Sequence, residues 1–389
     1  MTRCYLNAMA MLSAMGESQQ DVIQQLYNGE PQLSLTNEFS GEQMLPLGIY
    51  NAELPEIPLS EPKWQSRNNR FALAALNQIR SEVNQAIERY GQHRVGVIIG
   101  TSTSGISESE SYLKQRATTG KVPDAYDYCM QEMGATASFV ASLLGVTGPV
   151  FGISTACSSG AKALASARRL LRAGVCDVVI AGGVDTLCHL TVQGFSSLEA
   201  VSDQLCNPFS KNRCGINIGE GAGLFLVSRE PHGVELAGVG ESSDAHHISA
   251  PDPSGAGAIR CMSAALQDAG ITPQDIGYIN LHGTATPLND QMESRAVAEL
   301  FGQSGRCSST KPFTGHTLGA AGALEAAICW LALEKNFIPQ HFWDNCPDLT
   351  LPAINLTKGV AEPEGFQYAL SNSFAFGGNN ISLILRRLI

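Results

Sequence analysis

The chain has 389 residues, 36 acidic and 25 basic, for a formal net charge of −11 at pH 7, with 44% apolar and only 16% charged residues. That composition belongs to a globular chain with a large core and excludes a disordered one. The length exceeds what one core usually fills, so two domains or two fused halves are expected. An acidic chain without a long Lys/Arg run also excludes duplex nucleic acid as a partner, because that affinity comes from phosphate neutralisation.

The N-terminal stretch MTRCYLNAMAMLSAMGE has one Arg and apolar residues interrupted by Asn7 and Ser13, so it reads as a strand and turn and not as a secretory leader. The segment Gln32 to Pro62 is the least regular. A helical pattern covers Asn69 to Tyr90. VGVIIG (Val95 to Gly100) and DVVIAGG (Asp177 to Gly183) lack the alternation of a half-exposed sheet and read as fully buried strands. GLFLVS (Gly223 to Ser228), IGYINLHG (Ile276 to Gly283) and ISLIL (Ile381 to Leu385) read the same way. Helical patterns run from Ser158 to Ala173, Gly257 to Asp268, Gln291 to Phe301 and Gly319 to Glu334. Strands alternating with helices predict α/β layers and a largely parallel sheet. RVGVIIGTSTSG echoes DIGYINLHGTAT, and GEGAGLFLVSR echoes FGGNNISLILRR. The echo places two similar halves at residues 1–235 and 236–389.

No membrane insertion is expected. The longest mostly apolar run, Thr317 to Leu333, carries Glu325 near its middle. The eleven cysteines are odd in number and form no C-x-x-C, which suits reduced thiols in a cytoplasm and no zinc site.

Cys157 stands where a β-run ends at Ser154-Thr155-Ala156 and a helix begins at once. Unpaired N–H groups and the helix dipole at such a turn favour thiolate, so a lowered pKa and a nucleophilic role are expected, against the alternative of a buried structural thiol. His282 leaves a buried strand into Gly-Thr, and His316 lies between a loop and a small-residue helix. Each is either poised toward a cleft or satisfied by backbone carbonyls. His246-His247 cannot share one face, and Gly219, Gly221 and Gly223 do not follow a strand as a dinucleotide fingerprint requires; neither a metal nor a dinucleotide is expected.

TACSSG, LHGTATP, KPFTGHTLGAAG and SNSFAFGGNN, with CNPFSKNRCGINIGEGAG and SSDAHHISAPDPSGAGA between them, resemble the elongating β-ketoacyl-acyl carrier protein synthases over nearly the whole chain. The resemblance implies the thiolase-like fold, two duplicated βαβαβαββ halves in a five-layer αβαβα sandwich. It also implies a cytoplasmic homodimer, or a heterodimer with a chain length factor, that binds no cofactor of its own. The substrate would arrive on the 4′-phosphopantetheine of an acyl carrier protein. Cys157 would carry the acyl chain. His282 and His316 would support malonyl decarboxylation, with Lys311 the motif lysine and Glu325 behind it. Thr284 and Thr286 would bind the pantetheine arm. The N–H groups of Cys157 and Phe376 would form the oxyanion hole, and Phe376 and Phe374 would face the acyl chain. Thr103 would line a chain-length pocket, and Lys63, Arg67 and Arg70 would dock the carrier at i, i+4, i+7 on one helix.

The sequence departs from the family pattern at Ala8, Ala10, Ser210, Cys214, Asn289, Ala375 and Asn379, none of which is an expected catalytic residue. A Cβ at Ala375 is expected to stiffen the gating loop. The RNNR segment at Arg67 to Arg70 resembles synthases of bacterial aryl polyene pathways. The alternative function is a non-catalytic, chain-length-determining partner subunit; such subunits lack the cysteine that this chain has.

Overall fold

The computed structural model describes residues 2–362 and 364–388. Eleven strands form the main sheet: β1 (Tyr5–Ser13), β2 (Val95–Gly100), β3 (Val150–Ile153), β4 (Val178–Asp185), β5 (Gly221–Ser228), β6 (Val234–Ser243), β7 (Ile276–Asn280), β8 (Arg306–Ser308), β9 (Asn355–Leu356), β10 (Tyr368–Ala375) and β11 (Asn379–Arg387). Their spatial order is β9-β8-β7-β10-β11-β6-β1-β5-β4-β2-β3. The first half gives β1-β5-β4-β2-β3 and the second gives β6-β11-β10-β7-β8. Matching by order in each half pairs β1 with β6, β5 with β11, β4 with β10, β2 with β7 and β3 with β8. Among the described residues the half-sheets join where Tyr5 and Leu6 pair antiparallel with Glu235 and Val234.

Two helices, α3 (Ser159–Arg172) and α6 (Ala321–Lys335), lie between the half-sheets and pack on each other. Helices α1 (Arg67–Gln78) and α2 (Ala135–Leu144) cover the outer face of the first half-sheet. Helices α4 (Ala256–Ala269) and α5 (Pro287–Phe301) share the outer core of the second. The result is the five-layer αβαβα sandwich of the thiolase-like fold.

The unbroken apolar strands follow from that layering. In β5, Phe225 and Val227 face the central helices while Leu224 and Leu226 face the outer ones. In β11, Ile381, Leu383 and Leu385 face inward and Ile384 outward. Every residue of β5 and of the Ile381–Leu385 run of β11 is buried, so apolar character replaces alternation. α6 is buried on nearly all sides, which explains its all-round apolar sequence. Among the described residues no helix is long and apolar enough to cross a membrane.

The helical pattern at Asn69 to Tyr90 divides at Ile79 (φ −118°, ψ 16°) into α1 and a second helix, Arg80–Tyr90. At the break the Gln78 side chain bonds both the N–H and the C=O of Met11, tying the turn to β1. The segment Gln32 to Pro62 is irregular apart from a three-pair ladder between Ser34–Thr36 and Leu45–Leu47.

The central helices approach closely because their contact is built from small residues. A Cβ on Gly160 would lie 2.8 Å from the Ala323 Cβ and 3.0 Å from the Gly319 carbonyl. Gly160→Val is therefore expected to lower stability by about 1–3 kcal/mol through overpacking, read as a lower urea midpoint at unchanged slope.

Candidate active site

Cys157 lies immediately before α3, at 4% exposure. The turn that presents it puts Ala156 at φ +53°, a left-handed conformation that a Cβ disfavours. The following serines hold it: Ser158 Oγ donates to the Thr155 carbonyl (2.7 Å), Ser159 Oγ donates to that of Ala156 (2.6 Å), and Thr155 N–H donates to Ser159 Oγ (2.9 Å).

The two histidines come from the other half. His282 follows β7, and its N–H and that of Gly283 donate to the two carboxylate oxygens of buried Glu293 (2.8 and 2.7 Å). His316 sits between the helical turn Lys311–Thr314 and α6, its N–H donating to the Asn217 carbonyl (2.6 Å). The rings meet edge to face, with centroids 5.4 Å apart, and His316 Nε2 is 3.0 Å from Cys157 Sγ. Lys311, also buried, donates from Nζ to Glu325 and to the His282 carbonyl.

Cys157, His282 and His316 line a cavity of about 370 Å³ together with Thr284, Thr286, Phe374 and Phe376. Thr284 and Thr286 share a hydroxyl hydrogen bond of 2.8 Å at its wall. Phe376 leans on Phe195 with centroids 5.5 Å apart. The N–H groups of Cys157 and Phe376 both act on the sulfur.

Burial sets the protonation states. Both imidazoles are held well below 6.5, first by burial and then by the Lys311 ammonium, so they are neutral at pH 7. The lowered thiol pKa expected for Cys157 is not what this environment produces. Lys311 and the two N–H groups favour thiolate, but burial outweighs them and pushes the thiol up to about 12. The resting site is a thiol beside two neutral imidazoles.

Cys157, His282, His316, Lys311, Glu325, Thr284, Thr286, Phe374 and Phe376 are thus brought together, and four other expected residues lie apart from them. Thr103 does not line this cavity; it is 1% exposed and its hydroxyl donates to Asp185 (2.8 Å). Lys63, Arg67 and Arg70 do not form a free basic face. Lys63 lies over the Trp64 ring in a separate turn before α1. Arg67 Nε donates to buried Glu220 (2.9 Å), and Arg70 donates to the carbonyls of Leu54 and Pro55.

The substituted positions have local partners. Ser210 Oγ donates to Asp344 (2.9 Å), Cys214 Sγ contacts Ser202 Oγ (3.0 Å), and Asn289 donates to Asp290 (3.2 Å). Asn379 accepts from Lys162 (3.3 Å), while Ala375 ends β10 and lines the cavity. Ala8 and Ala10 are buried in the outer core of the first half.

Two buried carboxylates were not anticipated. Glu293 fixes the His282 turn. Asp185 accepts from Thr101 and Thr103 hydroxyls, from Ser102 and Thr103 N–H groups, and from Gly319 N–H (2.6 Å), three residues past His316. Asp185 is signalled in the sequence as an acid ending an otherwise apolar strand, whereas Glu293, within NDQMESR, carries no such signal.

The family model described as Beta-ketoacyl synthase, N-terminal domain, matches residues 6–232, and that described as Beta-ketoacyl synthase, C-terminal domain, matches residues 234–342. Nodulation protein E of Rhizobium sp. (strain N33) is 34% identical over 367 residues, covering 88% of this chain and 89% of its own. The 3-oxoacyl-[acyl-carrier-protein] synthase 2 of Staphylococcus aureus (strain COL) is 32% identical over 349 residues, covering 85% of this chain and 84% of its own. A chain from the complex of the ketosynthase ApeO with its chain length factor ApeC, from Xenorhabdus doucetiae, superimposes with a TM-score of 0.94 at 45% identity. That match covers 100% of this chain and 98% of the other.

Two outcomes are expected from this geometry. The rate of Cys157 alkylation by iodoacetamide should rise steadily from pH 6 through pH 9 without a plateau, since the raised pKa leaves thiolate scarce throughout; a plateau near neutrality would mean a standing thiolate–imidazolium pair. Arg67→Met should strip Glu220, 1% exposed, of its ion-pair partner. It should cost about 1–3 kcal/mol in denaturant unfolding, and Glu220→Gln should recover part of that loss.

Proposed function

The chain belongs to the β-ketoacyl synthase family and is a condensing acyltransferase of the 3-oxoacyl-[acyl-carrier-protein] synthase class; from that premise we propose that Cys157, His282 and His316 carry out its chemistry on acyl and malonyl groups borne by an acyl carrier protein. The observation that carries the residue assignment is the 3.0 Å contact between Cys157 Sγ and His316 Nε2, with the His282 ring edge to face beside it at the cavity floor.

Acyl loading begins as Sγ attacks the thioester carbonyl. The Sγ proton passes to His316 and on to the departing pantetheine sulfur, the Sγ–C bond forms, and the old C–S bond breaks. The N–H groups of Cys157 and Phe376 hold the negative oxygen of the tetrahedral intermediate. This route fits a thiol that stays protonated until the substrate is in place. Thr284 and Thr286, at the cavity wall, would take hydrogen bonds from the pantetheine arm.

In the second step the malonyl C–C bond to the carboxylate breaks and CO₂ leaves. The electron pair becomes an enolate, whose oxygen accepts hydrogen bonds from the two imidazoles. Neutral imidazoles suit this role, because they donate without giving up a proton in the resting state. The enolate carbon attacks the acyl carbon, the new C–C bond forms, the Sγ–C bond breaks, and Sγ leaves as thiolate and takes a proton from solvent. Lys311 positions His282 through its carbonyl and is neutralised by Glu325. No resident cofactor is needed for these steps.

The finer reading is elongation within a polyene-type pathway, as a cytoplasmic subunit paired with a second copy or with a chain length factor. The 45% identity to the ApeO–ApeC complex chain supports it. The halves 1–235 and 236–389 are read as the two duplicated units, the first supplying the nucleophile and the second the histidines. A non-catalytic partner role is not favoured, because the whole nucleophile turn is present.

Cys157→Ala should abolish both thiol acylation and condensation. His282→Ala should still accept an acyl group on Cys157, yet lose about 10²–10³-fold in condensation, the usual cost of one oxyanion donor, whereas His316→Ala should slow both acylation and condensation. Acylation by mass spectrometry and malonyl decarboxylation by CO₂ release separate the two steps. A histidine variant that fails in acylation alone would reverse its assigned role.

A further inference from the structure

We propose that Cys157, His282 and His316 also form a three-ligand site for a soft divalent cation, Zn²⁺ above all, which binds in competition with the acyl group. The Cys157 sulfur and one ring nitrogen of each histidine lie within 4.8 Å of one another, with 3.0 Å between Sγ and His316 Nε2. Tetrahedral zinc, with Zn–S of about 2.3 Å and Zn–N of about 2.1 Å, sets its ligand atoms roughly 3.4–3.6 Å apart. That spacing falls inside the spread already present. The rings stand at 83° to each other, so they do not stack face to face across the position an ion would take. A fourth position opens toward the cavity, where water completes the tetrahedron.

The three ligands are held in advance by contacts that owe nothing to a metal. Ser158 and Ser159 fix the Cys157 turn, Glu293 fixes the His282 turn, and the Asn217 carbonyl fixes His316. The nearby Lys311 ammonium is paired with the Glu325 carboxylate. No metal motif is visible in the sequence because the ligands come from three distant turns.

On binding, the Sγ–H bond breaks and its proton goes to solvent, a Zn–S bond forms, and each histidine gives one nitrogen lone pair. Nothing is oxidised or reduced. A thioester sulfur has no thiolate to offer, so an acylated Cys157 excludes the ion and a bound ion excludes acylation. This mutual exclusion is a linkage that works equally in both directions. The competition rests on the reading of Cys157 as acyl carrier; the metal binding does not.

The test uses Co²⁺ as a spectroscopic probe on the full-length protein. One equivalent should produce a thiolate-to-cobalt charge-transfer band in the near ultraviolet with the visible absorption of tetrahedral cobalt, and Zn²⁺ should displace both. Cys157→Ser, shown folded by circular dichroism, should lose the charge-transfer band, and His282→Ala should bind at least about 10–100-fold more weakly. Wild-type protein alkylated at Cys157 serves if the serine variant does not fold. No band at millimolar cobalt, or a band that persists in Cys157→Ser or in the alkylated protein, overturns the site. Loss of acyl transfer with the band intact would instead count against the catalytic reading alone.

Discussion

The close approach of the two central helices sets the rest of the molecule. Cys157 belongs to the first half of the chain and both histidines to the second, so the site exists only where the halves meet. Gly160 against Ala323 and Gly319 provides that meeting, one turn from the nucleophile. Larger side chains there would separate Sγ from His316 by the width of the added atoms. The glycine is thus a requirement of the chemistry as much as of the packing.

Around this contact the buried groups Lys311, Glu293 and Asp185 each meet polar partners. Lys311 meets Glu325 and the His282 carbonyl, Glu293 meets two backbone N–H groups, and Asp185 gathers donors from the Thr101 to Thr103 turn and from Gly319. Each of these also fixes a turn that carries or adjoins a reacting group. Removing one member of a buried pair leaves the other uncompensated, at a typical cost of about 3–5 kcal/mol. Such contacts hold geometry more than they add stability, and the histidine positions show what they hold.

Much of this was legible in the residues. Fully apolar strands foretold burial on both faces. The Cys157 turn and the two histidine turns were recognisable by local chemistry and by resemblance. What the residues alone did not display was whatever depended on the third dimension. Arg67 and Arg70 read as a docking face because their spacing is right, yet Glu220 and two carbonyls claim them from distant segments. Thr103 is near in sequence to a strand end that borders the site, but its hydroxyl turns to Asp185. The Cys157 pKa was misread for a related reason: the helix terminus is local and visible, while the enclosing walls that raise it come from the whole chain.

The central claim is that one thiol among the eleven cysteines carries the acyl group beside two neutral imidazoles from the opposite half. Incubation with a panel of acyl-loaded carrier proteins, followed by proteolysis and peptide mass spectrometry, tests it most directly. The expected result is a single thioester adduct on the peptide containing Cys157, with the other ten cysteines unmodified. An adduct at any other cysteine, or turnover with no adduct at Cys157, would contradict it.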